Sequence, residues 1–285
     1  MERFNRTFSR SVMALLIGIA LAWPLQAMAT GPRVTTALFS TEKEEIHTID
    51  FPPYISADVI DSGFVAEIIN TALSDAGVDA VLTIHPLKRM VKYYLLQENA
   101  LAVVGRHLAF TEKMKSDLIF VPVVVLDERY YYYRPKHPGG LKLTAETLKG
   151  LTYGAHRDED VSRYANMGVT VDEGSMVVLL QKLKSGEVDF ISAPAPSVEW
   201  LVNRYMPDDR DAFAATDDAG DHEALYMVFN RKHAAGKAAA AKFEEALAAM
   251  VRDGRYKKII EKHFSGEHVK RYLRSLEKFN GHSGR

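Results

Sequence analysis

The chain has 285 residues, 36 basic and 37 acidic side chains, and no cysteine. A formal net charge of −1, with no long run of one sign, argues against nucleic acid or an anionic membrane as partner. Without cysteine there is no disulfide framework, and a zinc site would need scattered histidines and carboxylates, so neither metal nor cofactor is expected.

A chain of this length forms one large or two modest domains. Its start reads as a secretion signal. Arg3, Arg6 and Arg10 precede an apolar run over 12–23, Pro24 breaks it, and Ala27-Met28-Ala29 offers a small-x-small cleavage pattern before Thr30. The run is shorter than the roughly 20 residues that span a bilayer. No cysteine stands at the cleavage point, which excludes a lipid anchor there. The expectation is a soluble, monomeric periplasmic protein.

Beyond the leader, strand and helix patterns alternate, which predicts an α/β architecture. Residues 46–49 read as a short strand stopped by Asp50-Phe51-Pro52-Pro53-Tyr54. Ser62 is the expected cap of a helix whose apolar positions Phe64, Val65, Ile68, Ile69, Ala72 and Leu73 fall three or four apart, with Gly77 at its stop. A strand at 81–84, a helix over 87–97 and a strand at 101–104 complete a βαβαβ run. Two long strands follow, 118–125 and 129–134, separated by Asp127-Glu128.

Next come a short helix (144–149), a strand (151–155), a helix (175–185), a strand (189–192) and a helix that Ser197 is expected to cap. An acidic loop over 217–221 precedes a strand at 224–230. Two C-terminal helices flank an Asp253-Gly254 turn, and Val269, Tyr272, Leu273 and Leu276 predict one more amphipathic helix. Of the tyrosine run 130–133, alternation places two rings on each face of a strand.

The segment LAVVGRHLAFTEKMKSDLIFVPVVV (101–125), with Thr111-Glu112-Lys113-Met114 between two apolar strands, resembles the signature of the family 3 bacterial solute-binding proteins. The ending AMVRDGRYKKIIEKHF (249–264) is similar to that family's close, and the likeness runs from residue 46 to about 264. The resemblance implies a two-lobed type 2 periplasmic binding fold with two crossover hinge strands and a ligand cleft between the lobes. It places 30–127 and 222–266 in the first lobe, 128–221 in the second, and 267–285 in a helical extension. It implies capture of a small solute by lobe closure, with a membrane permease or a sensor receptor as partner.

Two positions depart from the family pattern. The fourth position of the Thr-x-x-Arg element, which clamps a ligand carboxylate in the family, is Met114; Ala193-Pro194 stands near where an Asp receives the ammonium. This double loss argues against an ordinary amino acid and for an organic acid, modified amino acid or aromatic compound. The resemblance brings Phe51 and Tyr54 to the cleft as stacking rings. Arg106 or His107 would then take over anion recognition, since a charged hydrogen bond is worth about 1.5–3 kcal/mol, unless Arg106 simply pairs with Glu112 on the surface. Thr111 either caps its turn or touches ligand, and Ser175 is a helix cap beside the cleft. His156 and Arg157 stand where relatives contact the carboxylate through backbone N–H groups. Arg89 follows Pro86 at a helix start, where a cation opposes the helix dipole. The alternative reading is an enzyme on the same scaffold, similar to cyclohexadienyl dehydratases, with Glu173 or His156 as general acid. No HExxH, GxSxG or P-loop pattern supports it.

Overall fold

A computed structural model describes residues 43–86, 89–90, 95, 99–157, 159, 161–164, 166–219, 223–264, 269–270 and 272–273. The expected secretion signal, residues 87–88, 91–94 and 96–98 of the expected 87–97 helix, and Leu276 lie outside the described residues.

In chain order the elements are β1 (Glu44–Thr48), α1 (Phe64–Asp75), β2 (Ala80–Ile84), β3 (Ala102–Arg106), α2 (Glu112–Lys115), β4 (Leu118–Leu126) and β5 (Glu128–Tyr133). They continue with α3 (Ala145–Leu148), β6 (Thr152–His156), β7 (Thr170–Gly174), α4 (Met176–Ser185), β8 (Phe190–Pro194) and α5 (Ala195–Tyr205). The last are β9 (Phe213–Ala219), β10 (Glu223–Asn230), α6 (Gly236–Asp253) and α7 (Arg255–His263).

The strands form two five-stranded mixed sheets, ordered β2-β1-β3-β10-β4 and β7-β6-β8-β5-β9. The chain crosses between them twice. On the way out only Asp127 separates β4 of the first sheet from β5 of the second; on the return, β9 of the second leads to β10 of the first. In each sheet an antiparallel strand joins a parallel core, β10 against β3 and β5 against β8. Parallel strands connected through helices need cover on both faces, and the cores supply it. On the first sheet, α1, α6 and α7 bury Ile46, Phe64, Ile69, Phe243 and Ile260, while Met90, Leu95, Val103 and Phe110 fill the opposite face. On the second, α4 and α5 pack Leu179, Leu183 and Val202 on one side; Tyr153, Tyr164 and Phe190 lie on the other.

The expected α1 spacing holds: Phe64, Val65, Ile68, Ile69 and Leu73 are all buried. Burial of each large apolar side chain contributes about 1.5–3 kcal/mol. Its cap differs from expectation. Gly63, not Ser62, is the N-cap, at φ 94°, and the Val65 N–H donates to the Tyr54 carbonyl at 3.0 Å. A Cβ on Gly63 would meet that carbonyl oxygen at 2.4 Å, so the preceding loop caps this helix through its backbone and only glycine fits.

Ser197 likewise caps nothing. It lies inside the first turn of α5, whose N-cap is Pro194. Two strands were not anticipated, β7 and β9, and the acidic 217–221 segment read as a loop begins within β9. The tyrosine run obeys its alternation: Tyr131 and Tyr133 join the α4–α5 core, while Tyr130 packs on the Tyr153–Phe190 cluster. Of the C-terminal extension, Val269 and Tyr272 are buried in the first-lobe core, where the Tyr272 hydroxyl donates to that of Tyr54 at 3.3 Å.

Candidate functional site

Open α/β sheets bind ligands beyond the carboxyl ends of their parallel strands, where helix N-termini gather. Here those ends come from both sheets and face one another. From the first, β1 runs into Ile49, Asp50 and Phe51, and β2 into His85. From the second come His156 and Arg157 after β6, Ser175 after β7, and Pro194 at the end of β8. Between them lies a cleft with two compartments that share Asp50, His156 and Ser175 as walls. One, of about 390 Å³, lies between His85 and Pro86 on one side and Arg157 on the other. The second, of about 190 Å³, is walled by Phe51, Pro52 and Asp58 against Met176, Val177, Trp200 and Tyr205. A larger groove of about 960 Å³ runs along α1 and β2, but first-lobe residues alone line it, so it is separate from the cleft between the lobes.

The electrostatics of the cleft follow from local structure. The first N–H groups of a helix have no intrahelical acceptor and carry the positive end of the dipole. The N-cap Ser175 makes no side-chain cap bond, so its hydroxyl and the first turn of α4 both stand at the cleft wall. Beside them, the His156 N–H donates to Glu159 Oε2 at 3.0 Å, while Glu159 Oε1 accepts from the buried Tyr153 hydroxyl at 2.6 Å. Glu159 therefore ties the cleft loop to the second-lobe core. His156 Nδ1 lies 3.0 Å from the Arg157 carbonyl. A carbonyl only accepts, so Nδ1 carries a proton. The first lobe contributes the opposite sign, Asp50 and Asp58. Burial lowers the His85 pKa, with Glu45 opposing and Arg89 reinforcing the shift.

The lobes also touch directly. The Ser197 hydroxyl donates to the Pro52 carbonyl at 2.7 Å, from α5 to the first-lobe cleft loop. Arg106, at the end of β3, pairs with Glu128 at 3.2 Å, and Ser192 donates to the other Glu128 oxygen at 3.1 Å. The Glu128 side chain is only 6% exposed.

Among the residues expected from sequence, Phe51, His156, Arg157 and Ser175 line the cleft. Tyr54 does not: it is fully buried, 4.9 Å from Phe51 and 5.1 Å from Phe64 by ring centroids, and burial pushes its hydroxyl pKa far up. The turn after Pro53 folds its ring into the core. Arg106 is committed to Glu128 rather than to Glu112, and Glu112 instead pairs with Lys115 at 2.5 Å. His107 packs on Phe120 at 4.9 Å, Thr111 is an exposed N-cap, and Arg89 is exposed; none of the three lines either compartment. Met114 packs against the Met90–Phe110 cluster, so the position of the family's arginine serves the core here. Glu173 is exposed and outside both compartments, which leaves His156 as the only proposed general acid at the cleft. Sequence reading passed over Asp50, His85 and Trp200. Their signal was position, one or two residues past a strand end or on the cleft-facing side of α5.

No family model matches the chain, and no curated protein does. Solved structures do. The ligand-binding core of GluR0 from Nostoc punctiforme, in complex with L-glutamate, superposes at TM-score 0.63 with 13% identity, covering 78% of this chain and all of that one. The fold is that of the type 2 periplasmic binding proteins. A histidine kinase sensor domain with similarity to periplasmic binding proteins matches at TM-score 0.63 and 15% identity, over 77% of this chain and 95% of its own. The arginine-, lysine-, histidine-binding protein of Geobacillus stearothermophilus matches at 0.62 and 20%, over 80% and 100%. At these identities the likeness shows the fold alone. No helix among the described residues is long and apolar enough to cross a membrane.

Proposed function

We propose that this protein captures a small anionic solute between its lobes, without altering it, and presents the closed form to a membrane permease or a sensor receptor. The lobes are taken as 30–127 with 222–266, and 128–221, exported by cleavage after residue 29. The observation that carries the reading is the two-sided cleft, with the open N-terminus of α4, Ser175 and Arg157 on one wall. A helix N-terminus and an arginine both favour an anion, such as a carboxylate. The apolar wall of Phe51, Met176, Val177 and Trp200 adds affinity for an organic body. With Met114 in the core and Pro194 at the cleft, the solute is held by the second lobe's positive groups instead of the family's arginine.

Of the two tryptophans in the chain, Trp23 falls in the leader, so Trp200 is the mature protein's reporter at the cleft. Carboxylic acids, amino acids, polyamines and aromatic metabolites are screened by thermal shift and then titrated by Trp200 fluorescence. A bound solute raises stability by RT ln(1 + [L]/Kd). Carboxylates are expected to raise Tm, and Arg157→Ala to weaken the best of them by about tenfold or more, the worth of a charged hydrogen bond. A screen in which no acid raises Tm, or an Arg157→Ala variant that binds the best acid equally well, refutes the reading.

A further inference from the structure

Glu45 and His47 are two apart on β1 and so point to the same face of the first sheet. The parallel register sets His47 beside Thr83, and His85, two residues on, falls on the same face. The His85 N–H donates to the Thr48 carbonyl at 2.6 Å, which fixes the loop after β2 against β1. As a result the two imidazole rings lie 5.0 Å apart, and His47 Nδ1 is 3.9 Å from Glu45 Oε2. One donor atom from each of the three residues lies within 4.8 Å of the other two. We propose that Glu45, His47 and His85 form a site for a divalent transition-metal ion of the Zn²⁺ type.

Two imidazoles and one carboxylate are the donor set that borderline cations prefer, and three protein donors leave a position open. Donors around a tetrahedral Zn²⁺ are about 3.4 Å apart for bonds near 2.0–2.1 Å. The required contraction is small, and the Glu45 side chain, 57% exposed, is free to swing inward. His47 is 5% exposed and anchors the site from below. His85 also lines the larger cleft compartment. Arg89 is the charged group that opposes a cation at His85, and the Glu45 carboxylate acts against it.

A second cluster, Asp61, Glu67 and His263, has similar chemistry but a different content. There Lys262 already sits 2.6 Å from Asp61 and 3.0 Å from Glu67, in the place a metal ion would take.

The test uses the mature full-length protein, stripped with a chelator, and Zn²⁺ or Co²⁺ alone, so it does not depend on the solute reading. Zn²⁺ is titrated in competition with a chromogenic chelator, and Co²⁺ by its visible ligand-field bands. One equivalent is expected, with His85→Gln and Glu45→Gln each weakening it at least tenfold. His137→Gln, a substitution in the second lobe, serves as the control and is expected to leave affinity unchanged. His85 and Glu45 are tested in preference to buried His47 because both are accessible enough to replace without loss of the fold, which the apo Tm confirms. Absence of a stoichiometric equivalent, or equal affinity in the folded His85→Gln and Glu45→Gln variants, overturns the site.

Discussion

Replacing Arg106 with Ala separates a structural role from a solute contact. Glu128 is held in the lobe junction by Arg106 at 3.2 Å and Ser192 at 3.1 Å, with its side chain 6% exposed. Removing one partner of a fully buried ion pair costs about 3–5 kcal/mol, because the surviving charge stays out of water. The Arg106 side chain is 27% exposed, so water replaces part of what is lost, and about 2–3 kcal/mol is expected. For a chain of this size that corresponds to a Tm lower by about 4–12 °C. The assay is urea unfolding without solute, run on Arg106→Ala, Glu128→Gln and the double variant. Neutralising Glu128 removes the charge that the lost arginine had compensated. The double variant should therefore recover most of the loss, with a coupling of at least about 1.5 kcal/mol. An Arg106→Ala variant within about 0.5 kcal/mol of the parent, or a coupling near zero, refutes the reasoning.

Three further outcomes follow from named contacts. Gly154→Ala on β6 would bring a Cβ to 2.8 Å from Ile191 and 2.9 Å from Val188, so overpacking should cost about 1–3 kcal/mol; an unchanged Tm would contradict that geometry. Ser197→Ala removes the hydroxyl that bonds the Pro52 carbonyl across the cleft. A shift of about 0.5–1.5 kcal/mol toward the open form should enlarge the radius of gyration in small-angle scattering of the solute-free protein, and an identical profile would refute the latch. Asp209 accepts from the Lys184 ammonium and from the Tyr133 hydroxyl at 2.9 Å, and these partners hold its carboxyl below the usual range. Its contribution to stability is present above the ordinary carboxylate pKa and is lost as pH falls through the lowered one. Asp209→Asn should therefore narrow the stability difference between pH 6 and pH 3 in thermal unfolding; parallel pH profiles would sink that assignment.

The interior of each lobe was legible because burial imposes a period. The helical spacing of Phe64 to Leu73 and the apolar runs around Val103, Val123 and Ile191 can satisfy a core in only one way. The unforeseen strands, β7 and β9, are the two edges of the second sheet. An edge strand is covered on one side only, so TVDEG and FAATDDA need few apolar residues and read as loops. The site divided along the same line. Ser175, His156 and Arg157 stand next to recognisable element ends, and the family resemblance was needed to bring those ends to one cleft. Tyr54 misled because its loop context gave no hint that the turn carries the ring into the core beside Tyr272.

The path through one lobe, the other and back rested on the family resemblance; by itself the sequence determined which segments alternate as strand and helix and where turns interrupt them. Those are properties of local periodicity and of turn residues. Pairings between distant positions were decided by the tertiary structure: Arg106 with Glu128, Ser197 with Pro52, His47 with His85. Each depends on how distant elements are brought together, and on β1 a register shift of one residue would turn His47 to the opposite face.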